Sequence, residues 1–314
     1  MKRVDASRRE FLRISSLLSV LGPAGAPFAL NLAAVGAAAA QSADDYRALV
    51  CLFFFGGNDS HNMVLATDPD SWAEYQRLRG EFEKKAGHTV DDAALSRSIR
   101  IYNRNRQLLR ELYAIRRDEP WKLSCTEGYL LLRARTRIPC EEHNALLEAA
   151  LPLIRARDRA AQDKPRVVFV GGFCEQPPLE MLEAIDDACY VVEDDLLIGL
   201  RWITSDVPET GDPIRALAES FVDRSAASPV QHDERKSKEG YLMEMIESSR
   251  AEAAIVTAAK FCEPGLDEQV AWSKHLDEVG IQYLVLEFEE KMTSFEQMAM
   301  QLETFAESLL FSIA

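Results

Sequence analysis

Basic charge is in short supply in this chain, histidine is rarer still, and no two cysteines stand close together. Its 36 Lys and Arg face 51 Asp and Glu, for a net charge of −15 over 314 residues. The first 40 residues hold five of the basic side chains (Lys2, Arg3, Arg8, Arg9, Arg13) against Asp5 and Glu10, so the body is more acidic than the total. Such a body excludes the basic stripe that a nucleic-acid partner requires. The six cysteines (Cys51, Cys125, Cys140, Cys174, Cys189, Cys262) are too few and too scattered for a small disulfide scaffold. Neither the Cys174 nor the Cys262 motif contains a histidine to act as a base, which argues against a nucleophilic thiol there.

What is present begins with an export-like leader. Ser7-Arg8-Arg9-Glu10-Phe11-Leu12-Arg13 precedes an alanine-rich apolar run that ends at Ala38-Ala39-Ala40. Residues 1–40 read as a twin-arginine signal with a small-residue cleavage site. Pro23, Pro27 and the small residues weaken the alternative of a membrane anchor. An isolated strand follows from Ala48 to Phe55, then the loop Gly56-Gly57-Asn58-Asp59-Ser60-His61-Asn62. That loop is rich in oxygen donors, which suit a hard cation, but one loop cannot make a metal cage.

Residues 81–164 change to helical spacing. Leu95, Ile99, Tyr102, Leu108, Leu109, Leu112 and Ile115 predict an amphipathic helix from about Asp92 to Arg116. Further helices are expected over Gly128–Arg135 and from Pro139 or Glu141 to Ala156, with His143 in a packing or capping role. Cys125 and Cys140 lie at or near helix starts without a cysteine partner at short spacing.

Residues 165–314 alternate strand and helix. Val167 to Val170 is a buried strand that runs through Gly171-Gly172 into Cys174 and then Pro177-Pro178. Strands are expected again at Cys189–Val192, Ala253–Ala259 and Ile281–Phe288. Helices are expected over Pro177–Ala188, Asp212–Asp223, Lys238–Arg250, Leu266–Val279 and from Thr293 or Ser294 to Leu310. The fold class is α/β, a flavodoxin-like parallel sheet in the order 2-1-3-4 with right-handed crossovers. In that order the loops leaving strands 1 and 3 flank the ligand crevice. Those loops carry Cys174 and Cys262, each inside the phrase Phe-Cys-Glu. Cys189 sits at the opposite end of its strand and reads as a buried structural thiol. Two crevice thiols suit a soft metal or an iron-sulfur centre, and a Cys174–Cys262 disulfide or two inert cysteines remain open.

Two resemblances add to this. The leader (1–40) and the fragment that follows it (41–80), with its Gly56 to Asn62 loop, resemble the start of the DUF1501 proteins, exported relatives of the sulfatases and alkaline phosphatases, over about the first 78 residues. The acidic and histidine motifs that hydrolase chemistry needs do not recur downstream. From about Glu81 to Phe311 the chain resembles the benzoyl-CoA reductase and 2-hydroxyacyl-CoA dehydratase family. The phrases that carry it are Tyr102-Asn103-Arg104-Asn105-Arg106, Glu141-Glu142-His143, Gly171-Gly172-Phe173-Cys174-Glu175, Asp194-Asp195, Gly199-Leu200-Arg201-Trp202, Ala259-Lys260-Phe261-Cys262-Glu263-Pro264 and Glu287-Phe288-Glu289.

This second resemblance implies a [4Fe-4S] cluster with Cys174 and Cys262 as two of its ligands. It also implies a second cluster-bearing subunit, ATP-hydrolysing activator subunits and an acyl-CoA substrate. The reaction it implies is single-electron transfer to an aromatic acyl-CoA, or 2-hydroxyacyl-CoA dehydration. Glu175 and Glu263 read as helix-start carboxylates, and Lys260 and Arg201 face either CoA phosphates or acidic neighbours. Family members begin with another α/β domain that brings a further cluster cysteine. Here the leader and the DUF1501-like fragment stand in its place, so the chain reads as a fragmentary subunit joined near Gly80. The leader points to the periplasm, but the family-like part fills most of the chain, so the cytoplasm is the expected location. The rival expectation is a nonenzymatic exported protein with a Cys174–Cys262 disulfide.

Overall fold

The structure is a computed structural model that describes residues 70–172, 176–196, 203–224, 226, 236–289 and 291–312. The leader, the strand at Ala48–Phe55, Cys51, Cys174, Glu175, Arg201 and the DUF1501-like loop all lie outside these residues. The chain divides between Asp59 and Ser60, and everything described belongs to the second unit. Among the described residues no helix is long and apolar enough to cross a membrane.

Helix α1 (Asp70–Ala86) runs without a break across Gly80. Helix α2 (Asp92–Asp118) starts on Asp91, whose side chain accepts from the Ala94 amide, and ends in Arg116 and Arg117 where the dipole is negative. Helix α3 (Cys125–Ala134) starts three residues before the expected Gly128, because Ser124 and Glu127 form a reciprocal capping box. Helix α4 (Cys140–Arg155) carries Glu141 and Glu142 in its first turn, where they favour the positive helix end. Leu108, Leu109 and Leu112 of α2, Leu132 of α3, and Leu147 and Leu151 of α4 close one core.

The α/β unit follows as β1 (Arg166–Gly171), α5 (Leu179–Ala188), β2 (Tyr190–Asp194), α6 (Pro213–Arg224), α7 (Lys238–Ser249), β3 (Ala253–Ala259), α8 (Glu263–Val279), β4 (Gln282–Phe288) and α9 (Glu296–Ser312). The four strands are parallel and ordered β2-β1-β3-β4, as the sequence pattern predicts. Alternate residues serve opposite faces of the sheet. Val167, Phe169 and Ile255 pack against Met181, Leu182 and Ile185 of α5 and Leu302 of α9. Val168, Val170, Ala254 and Val256 pack against Leu242 and Met245 of α7 and Trp272 and Leu276 of α8. β1 is buried after Arg166 and β3 is buried throughout, which places them in the interior of a three-layer sandwich.

Candidate functional site

At the carboxyl edge of the sheet the chain leaves β1 through Gly171 (φ +106°) and Gly172 (φ +68°). A side-chain carbon on Gly171 would lie 1.8 Å from the Thr257 carbonyl oxygen of β3. Only glycine allows this exit, because it alone tolerates both the left-handed backbone and the approach to the neighbouring strand. β3 leaves beside it through Lys260, Phe261 and Cys262. The Lys260 amide donates to Phe288 O at 2.8 Å, and the Cys262 amide donates to Ala259 O at 3.1 Å. The Lys260 ammonium reaches Glu289 at 3.0 Å, which answers the acidic-neighbour reading with an exposed pair.

Cys262 is 5% exposed and stands at the N-cap of α8, which begins at Glu263 rather than the expected Leu266. Its side chain makes no capping hydrogen bond, so helix capping does not occupy the sulfur. A side-chain carbon on Gly265, one turn on, would meet that sulfur at 3.1 Å, and the glycine therefore leaves room around it. The positive end of α8 favours a thiolate at this position. Cys262 is disulfide-bonded, and its partner lies outside the described residues, whereas Cys125, Cys140 and Cys189 are free thiols. Phe261 adopts φ +66° with 92% of its surface exposed, a large apolar ring held at the mouth of the crevice.

At the end of β2, burial brings opposite charges together. Asp194 meets Arg116 at 2.6 Å with both side chains 1% exposed. The Tyr113 hydroxyl donates to Asp194 at 3.0 Å, and Arg116 Nε donates to Val191 O at 3.2 Å. Burial disfavours the Arg116 charge, but Asp194 outweighs it and the guanidinium titrates above its ordinary range. Glu193 next to it meets Arg117 at 2.8 Å through one carboxylate oxygen, and the other is buried without a partner.

Burial pushes the Glu193 carboxyl from its ordinary 4.5 to about 7, against the pull of Arg117. The folded state therefore holds this proton more tightly than the unfolded one. The associated stability is full below about pH 4.5 and fades as pH rises through about 7. Wild type is expected to have a lower urea midpoint at about pH 8 than at about pH 5, and Glu193→Gln to show a smaller difference. An unchanged difference in the variant would assign the slope to other groups.

The remaining candidates are structural. His143 is buried, with Nε2 donating to Leu131 O at 2.9 Å and Nδ1 accepting from Asn105 at 2.7 Å, and burial lowers its pKa. It packs, as its position predicts, with both ring nitrogens engaged in hydrogen bonds. Burial raises the Cys125 and Cys140 thiols, and pushes Cys189, a core residue at 1% exposure, up to about 12. Among the described residues no group of three or more His, Cys, Asp and Glu side chains could hold a metal ion. The groove between β4 and α9, lined by Leu284, Met300 and Phe305 among others, includes none of the residues of the carboxyl edge.

A family model described as the D-component of 2-hydroxyglutaryl-CoA dehydratase matches residues 67–309. The chain belongs to that family. A benzoyl-CoA reductase subunit of Thauera aromatica is 34% identical over 239 residues, covering 76% of this chain and 62% of that protein. Lactoyl-CoA dehydratase subunit beta of Anaerotignum propionicum is 28% identical over 255 residues, covering 81% and 66%. The beta subunit of (R)-2-hydroxyglutaryl-CoA dehydratase from Acidaminococcus fermentans is 26% identical over 239 residues, covering 75% and 62%. The chain thus spans under two thirds of the length of these relatives. The D-component match reaches 14 residues further toward the amino terminus than residue 81, where the sequence phrases begin, and takes in all of α1.

Within this chain, sequence patterns point to Cys262 and to the adjacency of the strands that lead to it and to the Cys174 loop. They do not reveal the Arg116–Asp194–Tyr113 cluster. Asp194-Asp195 is visible as a motif, but its partners lie some 80 positions away.

Proposed function

We propose that this chain is an iron-sulfur subunit of a benzoyl-CoA reductase-like complex that passes single electrons to an aromatic acyl-CoA. The observation that supports this best is Cys262, a buried sulfur at the positive end of α8, just past the strand next to the one that leads to Cys174. Once its disulfide is reduced, Cys262 and its glycine-lined surroundings would fit one thiolate ligand of a [4Fe-4S] cluster. Cys174 is proposed as a second, with the remaining donors outside the described residues. When bound, such a cluster supplies electrons at low potential.

The chain's own groups would tune and shield that chemistry. The dipole of α8 favours negative sulfur, the glycines of the β1 exit let backbone amides come close, and Phe261 presents an apolar cover at the mouth. Identity to the benzoyl-CoA reductase protein exceeds that to the dehydratase proteins, which favours an aromatic acyl-CoA over a 2-hydroxyacyl-CoA. The relatives are named as subunits, which supports a partner subunit of the same family; that this partner bears a second cluster, that ATP-hydrolysing activator subunits deliver the electrons and that the complex is cytoplasmic are parts of the proposal. 2-Hydroxyacyl-CoA dehydration on the same site is the alternative reaction.

A second reading rests on the disulfide at Cys262: an exported, nonenzymatic chain in which the crevice thiols are joined to each other. Iron and acid-labile sulfide, measured on protein prepared without oxygen, separate the two. Cluster content that falls by more than half in Cys262→Ser supports the first reading. Metal-free wild type without a free thiol at 174 or 262 supports the second.

A further inference from the structure

Although the chain is strongly acidic, two guanidiniums, Arg106 midway along α2 and Arg135 at the end of α3, form no ion pair with a carboxylate among the described residues. α2 climbs past the sheet. Arg117 O accepts from Arg166 at the start of β1, Arg116 and Tyr113 bind Asp194 at the end of β2, and Arg110 binds Ile203 O and Asp206 in the segment after β2. With a rise of about 1.5 Å per residue, Arg106 stands about 15 Å beyond Arg116, on the carboxyl-edge side where Cys262 lies.

The corner there is built by three helices. Asn105 reaches His143 and Asn144 at 2.7 and 2.8 Å, and Asn144 donates to Ile101 O at 3.0 Å, which docks the first turn of α4 on α2. Arg135 caps the end of α3 and adds its charge to the same place. Arg106 donates one arm to Asn103, yet its Nε is buried with no acceptor. The Arg135 guanidinium makes no hydrogen bond or ion pair with any described residue.

Three of the acids nearby are engaged by other groups. Asp206 is held by Arg110 at 2.6 Å and Gln107 at 2.8 Å, Glu148 by Arg104, and Glu209 by Asn103. Burial lowers the pKa of both Arg106 and Arg135; on Arg106 the attraction of Asp206 opposes this, and repulsion from Arg110 and Arg135 adds to it. Tyr102, 53% exposed, lies close enough to Arg135 to act on its charge.

We propose that Arg106 and Arg135 form an anion site that takes a phosphate ester at the nucleotide end of the acyl-CoA, while the thioester reaches toward the Cys262 crevice. Two partly dehydrated guanidiniums that form no ion pair with a described carboxylate suit a phosphate, which accepts several N–H bonds at once. The exposed Tyr102 ring offers the adenine a stacking face. The assignment rests on the acyl-CoA reading above.

The test is calorimetric titration of the full chain, prepared without oxygen, with CoA, 3′-dephospho-CoA, pantetheine and inorganic phosphate. Arg135→Gln and Arg106→Gln are each expected to weaken CoA binding by about tenfold or more and to leave pantetheine unchanged. Arg137→Gln, an exposed neighbour, should bind as wild type does, and all three variants should melt as wild type does. A weaker 3′-dephospho-CoA would identify the 3′-phosphate as the group held. Equal CoA affinity in wild type and both variants, or no CoA binding by wild type, overturns the proposal. Inorganic phosphate that binds as tightly as CoA overturns the coenzyme assignment in favour of a free-anion site. Variants that lose only association with a second subunit overturn it too, and show that the pair faces acids there instead. Iron content is read on the same samples, so a failed cluster reading is distinguishable from a failed anion site.

Discussion

Gly171→Ala is expected to leave little folded protein. The new carbon would sit 1.8 Å from a main-chain oxygen, far inside van der Waals contact, at a φ of +106° that L-residues rarely adopt. Thr257 cannot retreat, because its strand is paired on both sides, to Gly171 of β1 and to Leu286 of β4, and its hydroxyl donates to Leu286 O. The loss should exceed about 4 kcal/mol, toward the upper end for single substitutions. Urea unfolding of the soluble fraction measures it, with Gly80→Ala as the control, since an added carbon there touches no atom within 4 Å. A Gly171→Ala midpoint close to wild type would mean that β1 does not pass β3 as described.

The second large effect is expected at the end of β2. Asp194→Ala strands the Arg116 guanidinium at 1% exposure and should cost about 3–5 kcal/mol. Replacing both members, Arg116→Met with Asp194→Leu, should recover much of that loss, because no charge is then left buried. Tyr113→Phe removes one neutral donor to a charged group and should cost about 1.5–3 kcal/mol. Denaturant midpoints at one fixed pH read all three. A double variant as unstable as Asp194→Ala would mean that the ion pair does more than neutralise itself.

The legibility of this fold follows from how local each signal is. Val167 to Val170 and Ala253 to Ala259 read as interior strands because short apolar runs between turn residues have few other uses, and helices between them leave a parallel sheet as the economical solution. The winding order then locates the loop of Cys262 without further help. Helix α1 escapes a sequence reading that sets a junction near Gly80, although Asp70 to Ala86 is about as amphipathic as α2. The early start of α3 depends on two side chains closing on each other's backbone, which spacing alone shows only as Ser-x-x-Glu. Phe261 runs against local preference, since a phenyl ring on a left-handed backbone in water is favoured by no propensity scale. The Arg116–Asp194 pair and the Arg106 and Arg135 corner are products of tertiary packing between residues distant in the chain, and no sequence window contains them.

The two interior strands also set a measuring scale for whatever the crevice holds. β1 and β3 are hydrogen-bonded neighbours, so their exits are separated by one strand spacing, about 4.8 Å. Both are wedged between helical layers and have almost no freedom to shift sideways. The dimensions of an occupant gripped from both exits are therefore inherited from the pitch of the peptide lattice, and loop motion contributes little to them.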